Sequence, residues 1–260
     1  MPTLYLVPTP LGDPDDITLR ALRILREVRA IATDSPTDTQ ALIDRHGIST
    51  MIIDYDSALA ALPDGDVALV TASGTPGIGD AAHEIVRAAI ARGIRVEPLP
   101  GASAEITALV LSGLPTDAFV CVGALPDDLN SLALERDTMI FVTSSVTTAL
   151  DRLLASLGDR RVCVAAALTQ PGEIVFRGTT DEALAYFGDQ PAPGSVVLVV
   201  AGAPPQVEAA WDEARVRAEL RARLAAGEPL KLAAKAVASA AGWDRRVVYA
   251  LGVDEKRNPP

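Results

Sequence analysis

The sequence predicts an α/β fold: two α/β domains, 1–113 and 117–205, followed by a helical tail module, 211–260. Three observations carry this. Through about residue 110, short apolar runs alternate with stretches of helical periodicity; Gly and Pro interrupt the pattern at "SGLPTD", 112–117; and after "GAPPQ", 202–206, strand-like runs stop and only helical patterns follow.

In the first half the strand-like runs are 3–7, 30–33, 51–53, 67–71 and 95–99. Between most of them lie 17–28, 39–45 and 81–92, where apolar residues recur every three to four positions, as on one face of a helix. Strands joined through helices imply crossovers, and therefore a parallel sheet covered by helices. The second half continues with runs at 118–122, 139–142, 161–166, 173–177 and 195–200 and a helix at 147–157. The tail reads as three helices, 211–226, 230–241 and 244–251. There is no internal repeat and no low-complexity tract.

With 260 residues, 49% of them hydrophobic, the chain can bury a large core. No run reaches the roughly 18 apolar residues of a membrane span, and the start "MPTLYLVPTPLGD" lacks a basic region ahead of its apolar stretch. A soluble, cytoplasmic protein with no membrane partner is expected. Cys121 and Cys163 each sit in an apolar run, where a reduced, buried thiol is the expected occupant. His46 and His83 are the only histidines and no Cys/His cluster has ligand spacing, so no metal site is expected.

The net charge of −11 is unevenly spread. Residues 211–260 hold ten Lys/Arg against seven Asp/Glu, which leaves the first 210 at −14. All three lysines, Lys231, Lys235 and Lys256, lie in the tail. A body this acidic repels phosphate backbones unless a basic stripe is assembled locally, although the same acidity also serves solubility alone.

Three loops follow strands of the first sheet and should open at its carboxyl edge, where open α/β folds bind ligands: "PTPLGDPDD" (8–16), "ASGTPGIGD" (72–80) and "PGASA" (100–104). The middle one is no phosphate loop, since no Lys-Ser/Thr follows its glycines, and it lacks the G-x-G-x-x-G spacing. A ligand held by backbone groups against small side chains suits it better. The alternative is a tight strand-to-helix turn in which Gly74 and Gly77 serve only positive φ.

Four ordered blocks, "LVPTPLGDPDDITLRALRIL" from Leu6, "VALVTASGTPGIGD" from Val67, "GIRVEPLPGASAEITALVLSGLPTDAF" from Gly93 and "GSVVLVVAGA" from Gly194, make the chain resemble the tetrapyrrole (corrin/porphyrin) methylase superfamily. Within it the chain is most similar to the ribosomal small-subunit RNA ribose 2′-O-methyltransferases of the I type, over roughly residues 3–251. The resemblance implies a two-domain α/β methyltransferase, usually a homodimer, with S-adenosylmethionine folded into the cleft between domains. On the family pattern Leu11, Ser73, Gly74, Thr75, Ile78, Ser103, Ala104 and Leu168 bind the cofactor. Glycine permits close backbone approach, and small side chains leave room for a bulky sulfonium.

Methyl transfer needs alignment of the acceptor, exclusion of water and an acceptor for a hydroxyl proton. Asp34, after the second strand, and Asp13, in the first loop, are the candidate carboxylates; Asp13 also reads as a helix cap ahead of Ile17. Arg245 and Arg246, with Arg215, Lys231 and Lys235, are candidate contacts to ribosomal RNA or the small ribosomal subunit, against a reading as solvated charges on a helical bundle.

The substrate half departs from the ribosomal pattern. Ser35, Pro36, Thr37 and Gln40 follow Asp34, and Asp127 with Asp128 stand where Arg or Lys is typical. Lost cations are lost phosphate contacts, which argues against efficient methylation of ribosomal RNA. Three readings follow: a ribosomal RNA ribose methyltransferase, a methylase of a tetrapyrrole or other small acceptor, and an S-adenosylmethionine-binding paralogue with little catalysis.

Overall fold

The structure, a computed structural model, describes residues 2–188, 192–204 and 211–257, the side chains of 256 and 257 excepted. Residues 205–206 of "GAPPQ" and the side chain of Lys256 lie outside the described residues. The chain divides into two compact units, Met1–Ala203 and Pro204–Pro260.

The first unit holds two five-stranded sheets. In the first, β1 (Thr3–Leu6), β2 (Ala30–Thr33), β3 (Met51–Asp54), β4 (Val67–Val70) and β5 (Arg95–Pro98) are all parallel, in the order β3-β2-β4-β1-β5. Period-2 alternation sends Val67 and Leu69 to the face covered by α3 (Tyr55–Ala61) and α4 (Ala82–Ala91). Ala68 and Val70 go to the opposite face, under α1 (Leu19–Glu27) and α2 (Pro36–Arg45). Each fully buried aliphatic such as Ile31 or Leu69 contributes about 1.5–3 kcal/mol of transfer free energy. Helix α2 starts three residues ahead of its periodicity, because Pro36 at the first helical position has its φ preset and loses no needed N–H. Helix α3 escapes a periodicity reading because it is only seven residues long, too short for a repeat to show.

The second sheet is mixed, in the order β6-β7-β10-β8-β9: β6 (Phe119–Ala124), β7 (Thr138–Thr143), β8 (Arg161–Ala166), β9 (Ile174–Thr179) and β10 (Val196–Val200). Only β6 and β7 pair in parallel; the remaining pairs are antiparallel. Central β10, "VVLVV", is buried on both faces. Its Val196, Leu198 and Val200 meet α6 (Val146–Leu157) and α7 (Thr180–Gly188). Its Val197 and Val199 meet Ala108 and Leu109 of α5 (Ala104–Ser112). Helix α5 follows a strand of the first sheet yet packs on the second, so the chain changes sheets before residue 104, ahead of the Gly/Pro stretch at 112–117.

The expectation of two buried cysteines needs correction. Cys163 is fully buried in β8, but Cys121 is exposed, because β6 is an edge strand and its ladder slips in register between Cys121 and Gly123. Arg160 is the buried cation of this half. Its guanidinium donates to the carbonyls of Leu157, Ala133 and Ala201, and burial lowers its pKa.

In the second unit α8 (Glu213–Ala225), α9 (Leu230–Ala241) and α10 (Arg245–Arg257) enclose a small core of Val216, Leu220, Ala233, Ala234, Val237 and Val248. Among the described residues no helix is long and apolar enough to cross a membrane.

Candidate active site

Because all five strands of the first sheet are parallel, their carboxyl ends share one edge, and β4, β1 and β5 are immediate neighbours there. The three loops singled out in the sequence therefore meet, and backbone chemistry ties them together. Thr9 and Gly74 exchange both N–H···O bonds, at 2.9 and 3.0 Å, and the Thr75 hydroxyl donates to the Ala102 carbonyl at 2.7 Å. A Cβ on Gly101 would stand 2.4 Å from Pro8 Cβ, so only glycine lets the first and third loops touch. Asp80 accepts from the N–H groups of Gly77 and Ala82, which closes the middle turn. Gly74 and Gly77 both lie at positive φ, 83° and 95°, as the turn alternative requires.

The first loop also reaches the second sheet. A Cβ on Gly12 would fall 2.2 Å from Gln170 Cγ and 2.7 Å from the Leu168 carbonyl oxygen. The Asp13 N–H donates to the Thr169 hydroxyl at 3.0 Å, and the Gln170 side-chain amide donates to the Leu11 carbonyl at 3.3 Å. In this turn Ala167 and Thr169 have φ of 49° and 59°, the two non-glycine residues at positive φ among those described. Such conformations cost about 1–3 kcal/mol each and persist where the surroundings over-determine them.

Between these loops and the second sheet runs a cleft. One cavity of about 180 Å³ is lined by Leu11, Ser73, Ala104, Leu168, Gln170 and Ser195, among others. It adjoins one of about 160 Å³ lined by Ser73, Gly74, Thr75, Ile78, Ala104 and Glu105, among others. Seven of the eight residues expected at a cofactor thus face one cleft.

Ser103 is the exception. Its hydroxyl accepts from the Ile106 N–H as the N-cap of α5 and donates to Glu105 at 2.8 Å. Asp13 likewise caps, its carboxylate accepting from the Asp15 N–H at the start of a 3₁₀ turn. Asp34 is exposed at the end of β2 and accepts from the Thr71 hydroxyl at 3.3 Å. Nearby, the Tyr55 hydroxyl donates to the Val70 carbonyl at 2.7 Å, and burial, then the charges of Asp34 and Asp80, raise its pKa, so it remains a donor. Gln170, Glu105 and Ser195 are cleft residues that sequence reasoning did not single out. Gln170 sits in the turn between β8 and β9 and Ser195 just ahead of β10, in a sheet of mostly antiparallel pairs, where no rule places ligands at one strand edge.

Arg245 and Arg246 begin α10 and, with Lys231, Asp244 and Tyr249, line a pocket of about 620 Å³ in the second unit. Asp244 accepts from the Arg246 N–H and caps that helix. Of the other two candidates, Arg215 stacks on Trp211, 4.5 Å from the ring centroid, and Lys235 is exposed on α9. Among the described residues no group of His, Cys, Asp and Glu is placed to hold a metal ion.

Comparison with known proteins bears on this cleft. The family model of the tetrapyrrole (corrin/porphyrin) methylases matches residues 3–184. The chain is 37% identical to a ribosomal RNA small subunit methyltransferase I from Synechocystis sp., over 98% of both chains. It is 35% identical to a ribosomal RNA small subunit methyltransferase I from Halalkalibacterium halodurans, covering 95% of this chain and 93% of that one. Among solved structures, a uroporphyrin-III C-methyltransferase from Thermus thermophilus complexed with S-adenosylhomocysteine superposes with a TM-score of 0.56 at 21% identity, covering 76% of this chain and 91% of that one; this shows a shared fold. A match over most of the chain, close relatives along nearly its whole length and the shared fold converge: the protein is a methyltransferase and belongs to the tetrapyrrole (corrin/porphyrin) methylase family.

Proposed function

We propose that the chain is an S-adenosylmethionine-dependent methyltransferase of small-subunit ribosomal RNA, acting in the cytoplasm on a ribose 2′-hydroxyl. Relatives at 35–37% identity carry that ribosomal name. The observation that carries the cofactor is the cleft, where three loops lashed together through backbone groups face the second sheet across small side chains.

Bound there, S-adenosylmethionine supplies a methyl group already activated by its sulfonium. The chain's own task is to hold and orient. Gly74, Ser73 and Ala104 leave room for close approach, Leu168 and Leu11 offer apolar surface, and the Thr75 side chain fixes the spacing of two loops. Lashing the loops beforehand lowers the ordering cost of binding. Since the first 210 residues carry −14, we assign most of the ribosomal RNA phosphate contacts to Arg245, Arg246 and Lys231 of the second unit.

The test is incubation with methyl-labelled S-adenosylmethionine and unmethylated small ribosomal subunits. Label in the RNA within an alkali-resistant dinucleotide is expected, because a 2′-O-methyl group removes the internal nucleophile of alkaline cleavage. Label only in a small molecule, or calorimetric cofactor binding without transfer, overturns the reading.

A further inference from the structure

Beside the cleft lies a second cavity of about 500 Å³, which shares Leu11 and Gln170 with it. Its walls come from the first loop, from the end of β4 and from α2, and include Thr9, Thr71, Ala41 and Arg45. Its volume falls in the range of about 300–1,000 Å³ typical of small-molecule sites.

The hydrogen-bond directions define what it takes. The Thr9 hydroxyl donates to the Thr71 carbonyl at 3.0 Å, and the Thr71 hydroxyl donates to the Asp34 carboxylate at 3.3 Å. A carbonyl and a carboxylate only accept, so in these two bonds both hydroxyls commit their protons to the protein and meet a ligand as acceptors. The wall therefore favours a ligand that brings its own hydroxyl donors. At its rim Arg45 holds Asp15 at 3.4 Å with both side chains more than half exposed, a contact weak enough to exchange for a phosphate. Asp38 shares the wall, so a ligand bearing many carboxylates meets one cation and one like charge.

We propose that this cavity is the acceptor pocket: it takes a single nucleotide, with ribose hydroxyls against Thr9 and Thr71 and a phosphate at Arg45, beside the methyl-donor cleft. Asp34, which does not line the cavity, is then a positioning residue that accepts from the Thr71 hydroxyl and orients it rather than touching the acceptor. The assignment rests on the ribosomal RNA reading above for its substrate.

Three variants of the full chain test it. Thr71→Val keeps the shape and removes the oxygen; kcat/KM for transfer to small subunits is expected to fall roughly tenfold, with cofactor affinity within about twofold of wild type and most activity restored in Thr71→Ser. Ala41 is exposed on α2, so Ala41→Trp fills the cavity without entering the core and is expected to cut transfer roughly a hundredfold at unchanged cofactor affinity. Binding of the four ribonucleoside 5′-monophosphates to S-adenosylhomocysteine-saturated protein, followed by NMR, separates the pocket from the ribosomal reading. A wild type that fails to label subunits but binds a nucleotide lost in Ala41→Trp sinks the ribosomal substrate and supports the pocket. Transfer or nucleotide binding that Ala41→Trp leaves at wild-type level overturns the pocket, as does a wild type that neither transfers nor binds a nucleotide.

Discussion

At Gly12 the first loop is clamped against the turn that follows β8. Gln170 Cγ can swing away from an added Cβ, but the Leu168 carbonyl belongs to a turn already constrained at Ala167 and Thr169. Gly12→Ala is therefore expected to destabilise the fold by about 1–3 kcal/mol, as overpacking does, and to weaken S-adenosylmethionine binding at least tenfold by displacing Leu11. Denaturant unfolding and calorimetry on the same preparation check both; unchanged affinity at reduced stability would separate this clamp from the cofactor site. Gly77 is a different case. An added Cβ there meets nothing within 4 Å, and its requirement is the positive φ alone.

At the scale of elements, helix α5 decides how Ser103 is read. In sequence "PGASA" looks like one more ligand loop. In the fold its serine begins a nine-residue helix whose side chains are apolar on nearly every side, so no polar stripe betrays it, and whose C-terminus closes on Gly113 at φ 72°. A cap and a cofactor contact make different forecasts for Ser103→Ala. The cap implies a loss of about 1 kcal/mol of stability with S-adenosylmethionine affinity within twofold of wild type. A tenfold loss of affinity at unchanged stability would restore the ligand role.

At the scale of the whole molecule, charge is unevenly divided between the acidic first 210 residues and the tail. In α8, Arg217 pairs with Glu213, Asp254 and Glu255, which raises its pKa, and Arg223 pairs with Glu219 and Glu228. Arg245 and Arg246 make no ion pair among the described residues and share their pocket with Lys231 and exposed Tyr249. Reversing both to Glu is expected to weaken binding to small-subunit RNA and to flatten the slope of log K against log salt by more than about one unit, since each phosphate contact accounts for about 0.7–0.9. Cofactor affinity should not move. Binding titrations across a salt series check this, and an unchanged slope removes the second unit from RNA recognition.

Local chemistry sufficed for much of the first sheet. Its five strand-like runs became five strands; β2 and β4 are continuously buried and nearly all apolar, while the edge strands β3 and β5 are partly exposed and carry charged residues, and the loops after β4, β1 and β5 fell together because parallel strands must end on one edge. The order β3-β2-β4-β1-β5, which makes those three loops neighbours, was decided only in the tertiary structure. So was the mixed pairing of the second sheet, since an apolar run such as "VVLVV" carries no mark of which strands flank it or in which direction. Cys121 shows the same limit, with exposure set by its edge position rather than by its apolar neighbours. Resemblance singled out Leu11, Gly74 and Ala104, which line one cleft, yet the threonine-walled cavity had no sequence signature. Its two hydroxyls are committed as donors only because the Thr71 carbonyl and the Asp34 carboxylate stand within reach of Thr9 and Thr71, an arrangement made by distant segments meeting in space.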